Sequence, residues 1–422
     1  MNIHASPVLT PAETALVDAF ARRFSQLPGD AGTARSRDDA VEMLKAGLPT
    51  RRVEAWHYTD LRRLLSSVPD FDPAAKPGSL SPLVEGSTVL RVVNGVAEAS
   101  ARAIEGVAVE RIGDLLVAGD ARAAFAPADA DDAVGALNTA FATDGFALTI
   151  AEGVHLQAPL ELQNLQAGGQ THARFFVTAG AGSRATIVER QTGSGDALVS
   201  SVSTLEVGEK AEIVWIIVQE QAAGATHLGQ INIRIAGDAK LTLFIMNAGG
   251  RLVRQEVRAV AAGEGADFTL RGVNLLGGET HCDVTMVLDH SAPHSTSTEV
   301  VRNVVTDRAH GVFQGQIRVA QIAQKTDAKM ACNTLLLSDD AEFSTKPELE
   351  IFADDVACGH GATVTEIDAN HLFYLMARGV EERLARGLLV KAFVAEVIEE
   401  LDDEALVGAL EEKLDGWFAE HG

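Results

Sequence analysis

The sequence predicts a mainly β protein, in which a parallel β-helix (a solenoid) forms the core and α-helical regions flank it at both ends. Three observations predict this fold. Glycine-containing turns recur along the middle of the chain, a run typical of a β-strand follows each turn, and the apolar pattern becomes helical towards either end. We expect an N-terminal helical and mixed region at residues 1–136, the β-helix at residues 137–369 and a C-terminal helical region at residues 370–422.

The N-terminal region begins with a helix signal. Thr10 supplies a hydroxyl for the N-cap, Pro11 fits the first helical turn, and Glu13 completes a capping box. Apolar residues then follow at helical spacing. A second helix is predicted to begin near Ser36.

The core is predicted from a repeat. Gly182, Gly208, Gly237 and Gly265 lie 26, 29 and 28 residues apart, and each precedes a run rich in β-forming residues. A repeat of 20 to 50 residues is typical of a solenoid, and strand-like repeats favour a parallel β-helix. Alternation within the runs predicts apolar side chains inside each coil and polar side chains in water. We extend the solenoid to about residue 361, and its open ends then need a cap or a partner.

The C-terminal region changes to a helical period from Asn370 onward, with charged residues between the apolar positions. A last helix is predicted to begin near Asp402 and to carry Trp417. That indole is equally consistent with a partner contact and with ordinary core packing.

Composition limits the possible functions. The net charge of −24 and the pI near 4.8 disfavour binding to nucleic acid or to an anionic membrane. No apolar run approaches the ~20 residues of a spanning helix, and residues 1–13 lack the features of a secretory signal, so we expect a cytoplasmic protein. The three cysteines form no CxxC pair, which argues against a disulfide framework or a zinc knuckle.

Catalytic motifs are missing from the sequence. It contains no GxxxxGK[ST] phosphate loop, no nucleophile elbow and no dinucleotide fingerprint. We therefore expect a protein that is not an enzyme, and any ATP chemistry has to come from another subunit.

The residues with the clearest chemical potential are Cys358 and His360. Two residues apart on a strand, they share one face, and Gly359 between them leaves room for a cluster or another backbone. Sulfur and imidazole nitrogen suit zinc, copper or iron-sulfur chemistry. Because two ligands are too few to close such a site, the remaining ligands are expected from a partner. The alternative is a packed thiol beside a hydrogen-bonded ring.

Other clusters are weaker candidates for a metal site. His281 and Asp283 face away from Cys282 on a strand, while His290 and His294 lie around a predicted turn. None of these residues has the spacing of a zinc signature, so we interpret the histidines as residues of turns or of a groove.

The segments PELEIFADDVACGHGATVTEID and LFYLMARGV resemble the C-terminal signature of the SufB/SufD family, the scaffold subunits of SUF iron-sulfur cluster assembly. The stretch GLPTRRVEAWHYTDLRRLL, with Trp56 and Tyr58 as expected anchors, resembles the N-terminal motif of that family. Arg302 and the GVFQG turn at residues 311–315 match it as well. The resemblance covers residues 47–65 and 137–401. The N-terminal cysteine cluster often found in SufB-type members is missing.

The resemblance implies a scaffold subunit with a transient iron-sulfur cluster shared with a SufB-like partner. His360 corresponds to the family histidine implicated in building the nascent cluster at that interface, with Cys358 as a weaker candidate, and Asp354 or Asp355 in a position to orient the ring. The β-helix is implied to bind the SufB-like subunit and the C-terminal helices a SufC-like ATPase, through which alone ATP enters. A homodimer of the isolated chain is also possible.

Two other functions remain open. A parallel β-helix suits a carbohydrate-active enzyme, which needs a row of carboxylates and arginines in a groove. The chain is also consistent with a purely structural subunit of the same complex, one that contributes no ligand to the cluster.

Overall fold

The computed structural model describes residues 8–72, 74–99, 103–120, 125–127, 129 and 131–421. Residues 1–7, on which the expectation about a secretory signal partly depends, lie outside the described residues. The described N-terminal region contains five helices and three short strands: α1 (Pro11–Arg23), α2 (Ala31–Lys45), α3 (Leu61–Leu64), β1 (Thr88–Val93), β2 (Val96–Ala97), β3 (Val107–Arg111), α4 (Ile112–Ala118) and α5 (Ala133–Phe141).

The first two helices begin at different kinds of N-cap. At α1 the predicted capping box is present: the Glu13 amide donates to the Thr10 hydroxyl, and the Glu13 carboxylate accepts from the Thr10 amide. Helix α2 begins at Ala31 and not near Ser36, because the Asp30 carboxylate accepts a hydrogen bond of 2.8 Å from the Thr33 amide. The predicted start of the second helix was therefore wrong.

The predicted β-solenoid is confirmed. Parallel strands stack in two columns, so that most coils contribute one strand to each column. The strands are β4 (Asp144–Ile150), β5 (Leu160–Ala179), β6 (Arg184–Val207), β7 (Glu212–Glu220), β8 (Thr226–Ile235), β9 (Lys240–Asn247), β10 (Leu252–Ala261), β11 (Asp267–Leu276), β12 (His281–His290), β13 (Thr296–Val305), β14 (His310–Val319), β15 (Asp327–Leu336), β16 (Glu342–Ile351) and β17 (Ala357–Thr365).

The glycine repeat corresponds to one of the two columns. Gly182, Gly208, Gly237 and Gly265 precede β6, β7, β9 and β11, which are stacked in parallel on one another. This column continues through β13 and β15 to β17. The other column runs from β6 through β8, β10, β12 and β14 to β16.

The interior of the solenoid is apolar with a polar ladder along one edge. Stacked aliphatic and aromatic side chains form the largest buried cluster of the described residues. At the edge, the side-chain amide of Asn247 donates to Asn274 at 2.7 Å, and Asn274 donates to Asn303 at 2.7 Å. Asn303 in turn donates to the Thr334 hydroxyl at 3.0 Å. Hydrogen bonds between coils therefore engage the amide nitrogens of all three asparagines, whereas the side-chain oxygen of Asn247 accepts none from the described residues.

The outer faces of the solenoid are largely covered by helices. The N-terminal helices and α5 pack on outward side chains of β6, β8 and β10. The C-terminal region contains α6 (Ala369–Met376), α7 (Glu382–Ile398) and α8 (Glu404–His421). Helices α7 and α8 pack on the other column of strands. The expectation that the outward positions face water was wrong for these areas. Trp417 packs inward and stacks on His421, with ring centroids 4.5 Å apart.

The two ends of the solenoid differ. Strands β1 and β4 both pair with β5 and so extend the first coils, and α4 packs against β4. The last strands, β16 and β17, pair only with the preceding coil, through β14 and β15. Most of their residues are exposed or half-buried. We call β16, β17 and the turn between them the terminal coil. The division at residues 137 and 370 stays a prediction; α5 and α6 are the elements nearest to those positions.

Candidate functional site

The terminal coil places Cys358 and His360 on one face, as their spacing predicts. In the register between β15 and β17, Cys358 lies opposite Ala328 and His360 opposite Met330. Ala328 and Met330 are buried in the solenoid interior. Side chains opposite each other in a parallel register share a face. The thiol and the imidazole therefore also point towards the solenoid interior, in line with the stack of inward side chains that we call the interior column.

At this position the interior column ends. His360 is exposed and Cys358 half-buried, although the residues one coil below them are buried. A β-carbon added to Gly359 would meet no atom within 4 Å, and the same holds for Gly361. The backbone around the two side chains is therefore open enough for another chain or an inorganic cluster to approach.

The surroundings of Cys358 favour the thiol over the thiolate. Partial burial raises its pKa above the ordinary value, and the Asp327 and Glu299 carboxyl groups add to that rise. A hydrogen bond with the backbone of Ala328 acts in the opposite direction. A proton therefore has to leave before this sulfur can bind a cation.

Of the two acidic residues before β17, Asp355 is engaged with the preceding coil. Asp355 forms an ion pair with Lys325, and its amide donates to the Gln324 side-chain oxygen at 2.9 Å. This pairing fixes the corner between two coils. A role for Asp354 in orienting His360 stays a prediction.

No three histidine, cysteine, aspartate or glutamate side chains come together to hold a metal ion within the part of the chain that the structure describes. His281 Nε2 lies 2.9 Å from the Thr59 hydroxyl, and its ring lies edge-on to that of His310 at 4.8 Å. Cys282 faces the opposite way, into the interior, where burial raises its pKa. His290 is also interior, between the hydroxyls of Ser295 and Ser297.

The Trp56 motif attaches the N-terminal region to the solenoid. Trp56 is buried, with the Arg254 guanidinium 4.2 Å from the centre of its ring. Arg254 also pairs with Asp283, which accepts a hydrogen bond from Thr59. The partners on β10 and β12 could not be found from the sequence, because the register of the coils decides which residues meet Trp56.

A groove of about 920 Å³ lies between this segment and the outer face of the solenoid. It contains arginines and carboxylates, the residue types that a carbohydrate-active enzyme would need, but these groups neutralise one another. Arg258 pairs with Asp129 and Glu256, and Arg318 pairs with Glu350. The charges of the groove are therefore largely engaged within the chain.

A second surface with exposed apolar side chains lies on the C-terminal helices. Phe373 is 72% exposed and Leu384 is 58% exposed. Tyr374, Met376 and Leu388 extend this patch along α6 and α7. Exposed aromatic and aliphatic groups of this kind mark a surface for a protein partner.

The solenoid core, flanked by helices and ending in an open coil that carries Cys358 and His360, has the architecture of a scaffold subunit. The family model for "SUF system FeS cluster assembly, SufBD core domain" matches residues 162–393. The chain belongs to the SufB/SufD family of iron-sulfur cluster assembly proteins.

Individual relatives agree with this assignment. The chain is 30% identical to the iron-sulfur cluster assembly protein SufD of Escherichia coli over 394 residues, which cover 89% of this chain and 91% of the relative. It is 30% identical to an iron-sulfur cluster assembly SufBD family protein of Synechocystis, over 67% of this chain and 65% of the relative. Protein ABCI7, chloroplastic, of Arabidopsis thaliana is 28% identical over 66% of this chain and 61% of its own length.

A search of the described helices for a membrane span found none with the length and apolar character to cross a bilayer.

Proposed function

We propose that this chain is a SufD-like scaffold subunit, which pairs with a SufB-like subunit and a SufC-like ATPase to build and transfer nascent iron-sulfur clusters. The observation that carries the proposal is the open terminal coil, on which Cys358 and His360 share the exposed end of the interior column. The cluster is the cargo of this site, and the SufB-like subunit supplies the ligands that this chain lacks.

His360 is the principal residue in this proposal. A neutral imidazole binds iron through one ring nitrogen, or it holds a proton beside the cluster while ligands exchange. Cys358 contributes a thiolate once its proton has left. The open backbone at Gly359 and Gly361 supports close approach of the partner.

The C-terminal helices are the proposed contact with the ATPase. Phe373, Tyr374 and Leu384 expose apolar surface there. Because the sequence has no phosphate loop of its own, ATP hydrolysis enters only through the SufC-like subunit. We expect the complex to work in the cytoplasm.

The test is His360→Ala in a complex of this chain with its SufB-like and SufC-like partners. We expect cluster formation, measured by visible absorbance during anaerobic reconstitution, to fall roughly tenfold or more, with an unchanged circular dichroism spectrum. His57→Ala is the matched control, because His57 is an exposed histidine outside the terminal coil.

Each alternative has its own outcome. Full cluster formation by His360→Ala would favour a purely structural subunit. Failure of the three chains to copurify would contradict the proposed complex, and cleavage of uronate polymers by the isolated chain would favour the carbohydrate-active enzyme.

A further inference from the structure

A buried carboxyl group that accepts no hydrogen bond of normal geometry from the described residues lies beneath the terminal coil. Glu299, on β13, is fully buried in the solenoid interior, and neither of its carboxyl oxygens receives a hydrogen bond of normal geometry from the described residues. Glu189, a second buried interior glutamate, differs. Gln191, Ser201, Ser203 and Trp215 all donate to it, at 2.6 to 3.3 Å.

The register of the coils relates Glu299 to the candidate site. Glu299 lies opposite Met330 on β15, and Met330 lies opposite His360 on β17. Two residues earlier in the same register, Ser297 lies opposite Ala328, and Ala328 lies opposite Cys358. Because adjacent strands are about 4.8 Å apart, the Cα atom of Glu299 lies roughly 10 Å below that of His360. This separation is too long for Glu299 to act as a metal ligand. It is short enough for a charge on Glu299 to interact with a charge at His360 through the buried interior.

Burial makes ionisation of the Glu299 carboxyl group unfavourable. It raises the pKa of Glu299 to about 8, although Ser297 and the Arg271 guanidinium oppose the rise. Arg271 itself is paired with Glu400, and the nearby His290 is hydrogen-bonded to Ser297. Since the folded-state pKa lies above the unfolded value, this carboxyl group destabilises the fold increasingly as the pH rises from about 4.5 to 8. A group that lowers stability beside a candidate site is itself a candidate for function.

The charges at the terminal coil indicate what the function of Glu299 is. In the free chain, with water as the remaining ligands, a divalent cation bound by the Cys358 thiolate and a neutral His360 ring leaves one positive charge at the end of an apolar interior. One carboxylate below it makes the assembly neutral. A carboxylate below the cation attracts it through the buried interior, so a group that ionises when the cation arrives stabilises the bound state.

We propose that Glu299 is the internal counter-charge of the terminal-coil site, neutral when the site is free and ionised when Cys358 and His360 hold a divalent cation. This inference rests on the proposed function. One proton leaves the Cys358 sulfur as the sulfur-metal bond forms, and a second leaves the Glu299 oxygen. No electrons are transferred. Glu299 is a positioning residue in this account, because it acts through the charge that it places below the ligands.

The experiment is calorimetric titration of the full-length chain with Co²⁺ at pH 7, under anaerobic conditions, in two buffers of different ionisation enthalpy. The buffer dependence counts the protons released, and the cobalt-thiolate absorbance reports binding at Cys358. We expect about two protons for the wild-type chain and about one for Glu299→Gln. The affinity of that variant should be roughly tenfold lower at pH 7, the difference that linkage requires when cation binding releases nearly a whole proton from a group with a pKa of about 8.

Controls separate this inference from the site on which it rests. Glu189→Gln alters a buried interior carboxyl group far from the terminal coil and should keep wild-type affinity and proton release. Cys358→Ala and His360→Ala should lose Co²⁺ binding. If they lose it while Glu299→Gln matches the wild type in affinity and proton count, the counter-charge is overturned and the site stands.

Two further outcomes complete the test. If the wild-type chain binds no Co²⁺, or if Cys358→Ala binds it normally, the counter-charge is overturned, while the cluster site shared with the SufB-like subunit is decided by the His360→Ala reconstitution above. Thermal unfolding at pH 8 shows whether the variant folds. Glu299→Gln should be more stable than the wild-type chain there, so weaker binding by a more stable protein supports the proposal.

Discussion

At the scale of single residues, two glycines of β14 leave space for large side chains in the last coils of the solenoid. A β-carbon on Gly311 would lie 2.5 Å from the ring of Phe343, which belongs to β16. A β-carbon on Gly315 would lie 2.3 Å from the Met330 sulfur. Both glycines belong to the GVFQG segment noticed in the sequence, which lies within β14, so the turn expected there was wrong. They leave space for large side chains of the neighbouring coils, which explains small residues in an otherwise apolar strand.

Gly311→Ala is therefore expected to displace Phe343 and to destabilise the terminal coil by about 1–3 kcal/mol, the usual cost of overpacking. Chemical denaturation measures the change. Gly359→Ala is the matched control on the terminal coil, since a β-carbon there meets no atom within 4 Å. Equal stability of the two variants would contradict this account of the packing.

Residue-scale chemistry was only partly predictable from the sequence. Alternation along one strand sufficed to place Cys358 and His360 on the same face. Glu299 could not be recognised as buried without partners, because its surroundings come from β11, β13, β15 and β17. Those contacts depend on the register between coils, and the spacing of successive coils along the chain is not constant.

At the scale of elements, one buried arginine joins two helices. Arg37 lies on α2, and its guanidinium donates to the carbonyl oxygens of Thr139, Ala140 and Ala142 at 2.8 to 3.1 Å. These carbonyls lie at the C-terminal end of α5, where they lack partners within the helix and where the helix dipole favours a cation. Arg37 thereby links the N-terminal helices to the helix that packs on the solenoid.

Arg37→Met should lower the free energy of unfolding by about 3 kcal/mol, because it leaves several buried carbonyl oxygens without donors. Urea denaturation followed by circular dichroism measures the loss. Arg35→Met, on the exposed face of the same helix, is the control and should have little effect. A similar stability for both variants would show that the capping contacts contribute nothing.

The starts of the first two helices were predicted correctly only where the sequence contains a complete capping signal. The capping box of α1 contains both reciprocal partners in the sequence, and the helix begins as predicted. Helix α2 has only Asp30 as a cap, with Thr33 in place of the glutamate, so its start was placed too late. The covered outer faces were missed because alternation shows which side chains share a face, but not whether a distant helix will pack on it.

At the scale of the whole molecule, buried histidines predict sensitivity to acid. Burial lowers the pKa of His227, His281 and His290 to about 4. Their folded-state pKa values lie below the unfolded value, so the unfolded chain binds more protons as the pH falls. Stability is therefore expected to fall between about pH 6.5 and pH 4, with up to about 3 kcal/mol from the fully buried His227.

Thermal unfolding at pH 7, 6 and 5 measures this dependence. His227→Gln removes one titrating group and should flatten the decline in melting temperature, while His57→Gln, at an exposed position, should leave it unchanged. A melting temperature that stays constant from pH 7 to pH 5 would contradict the assignment of neutral buried histidines.

The two columns of strands also explain why one end of the described solenoid is open. Helices cover the outer faces and extra strands extend the first coils, whereas β16 and β17 leave their outer edges unpaired. Exposed strand edges invite pairing with another chain. The proposed partner contact, the candidate ligands and the buried Glu299 therefore lie at the same end of the solenoid.

Hydrogen-deuterium exchange of the chain, alone and mixed with a SufB-like subunit, tests this claim most directly. We expect the backbone amides of residues 342–365 to exchange more slowly in the mixture, because partner strands pair with the open edges. Protection confined to the C-terminal helices, with unchanged exchange in β16 and β17, would contradict a cluster site shared across the terminal coil.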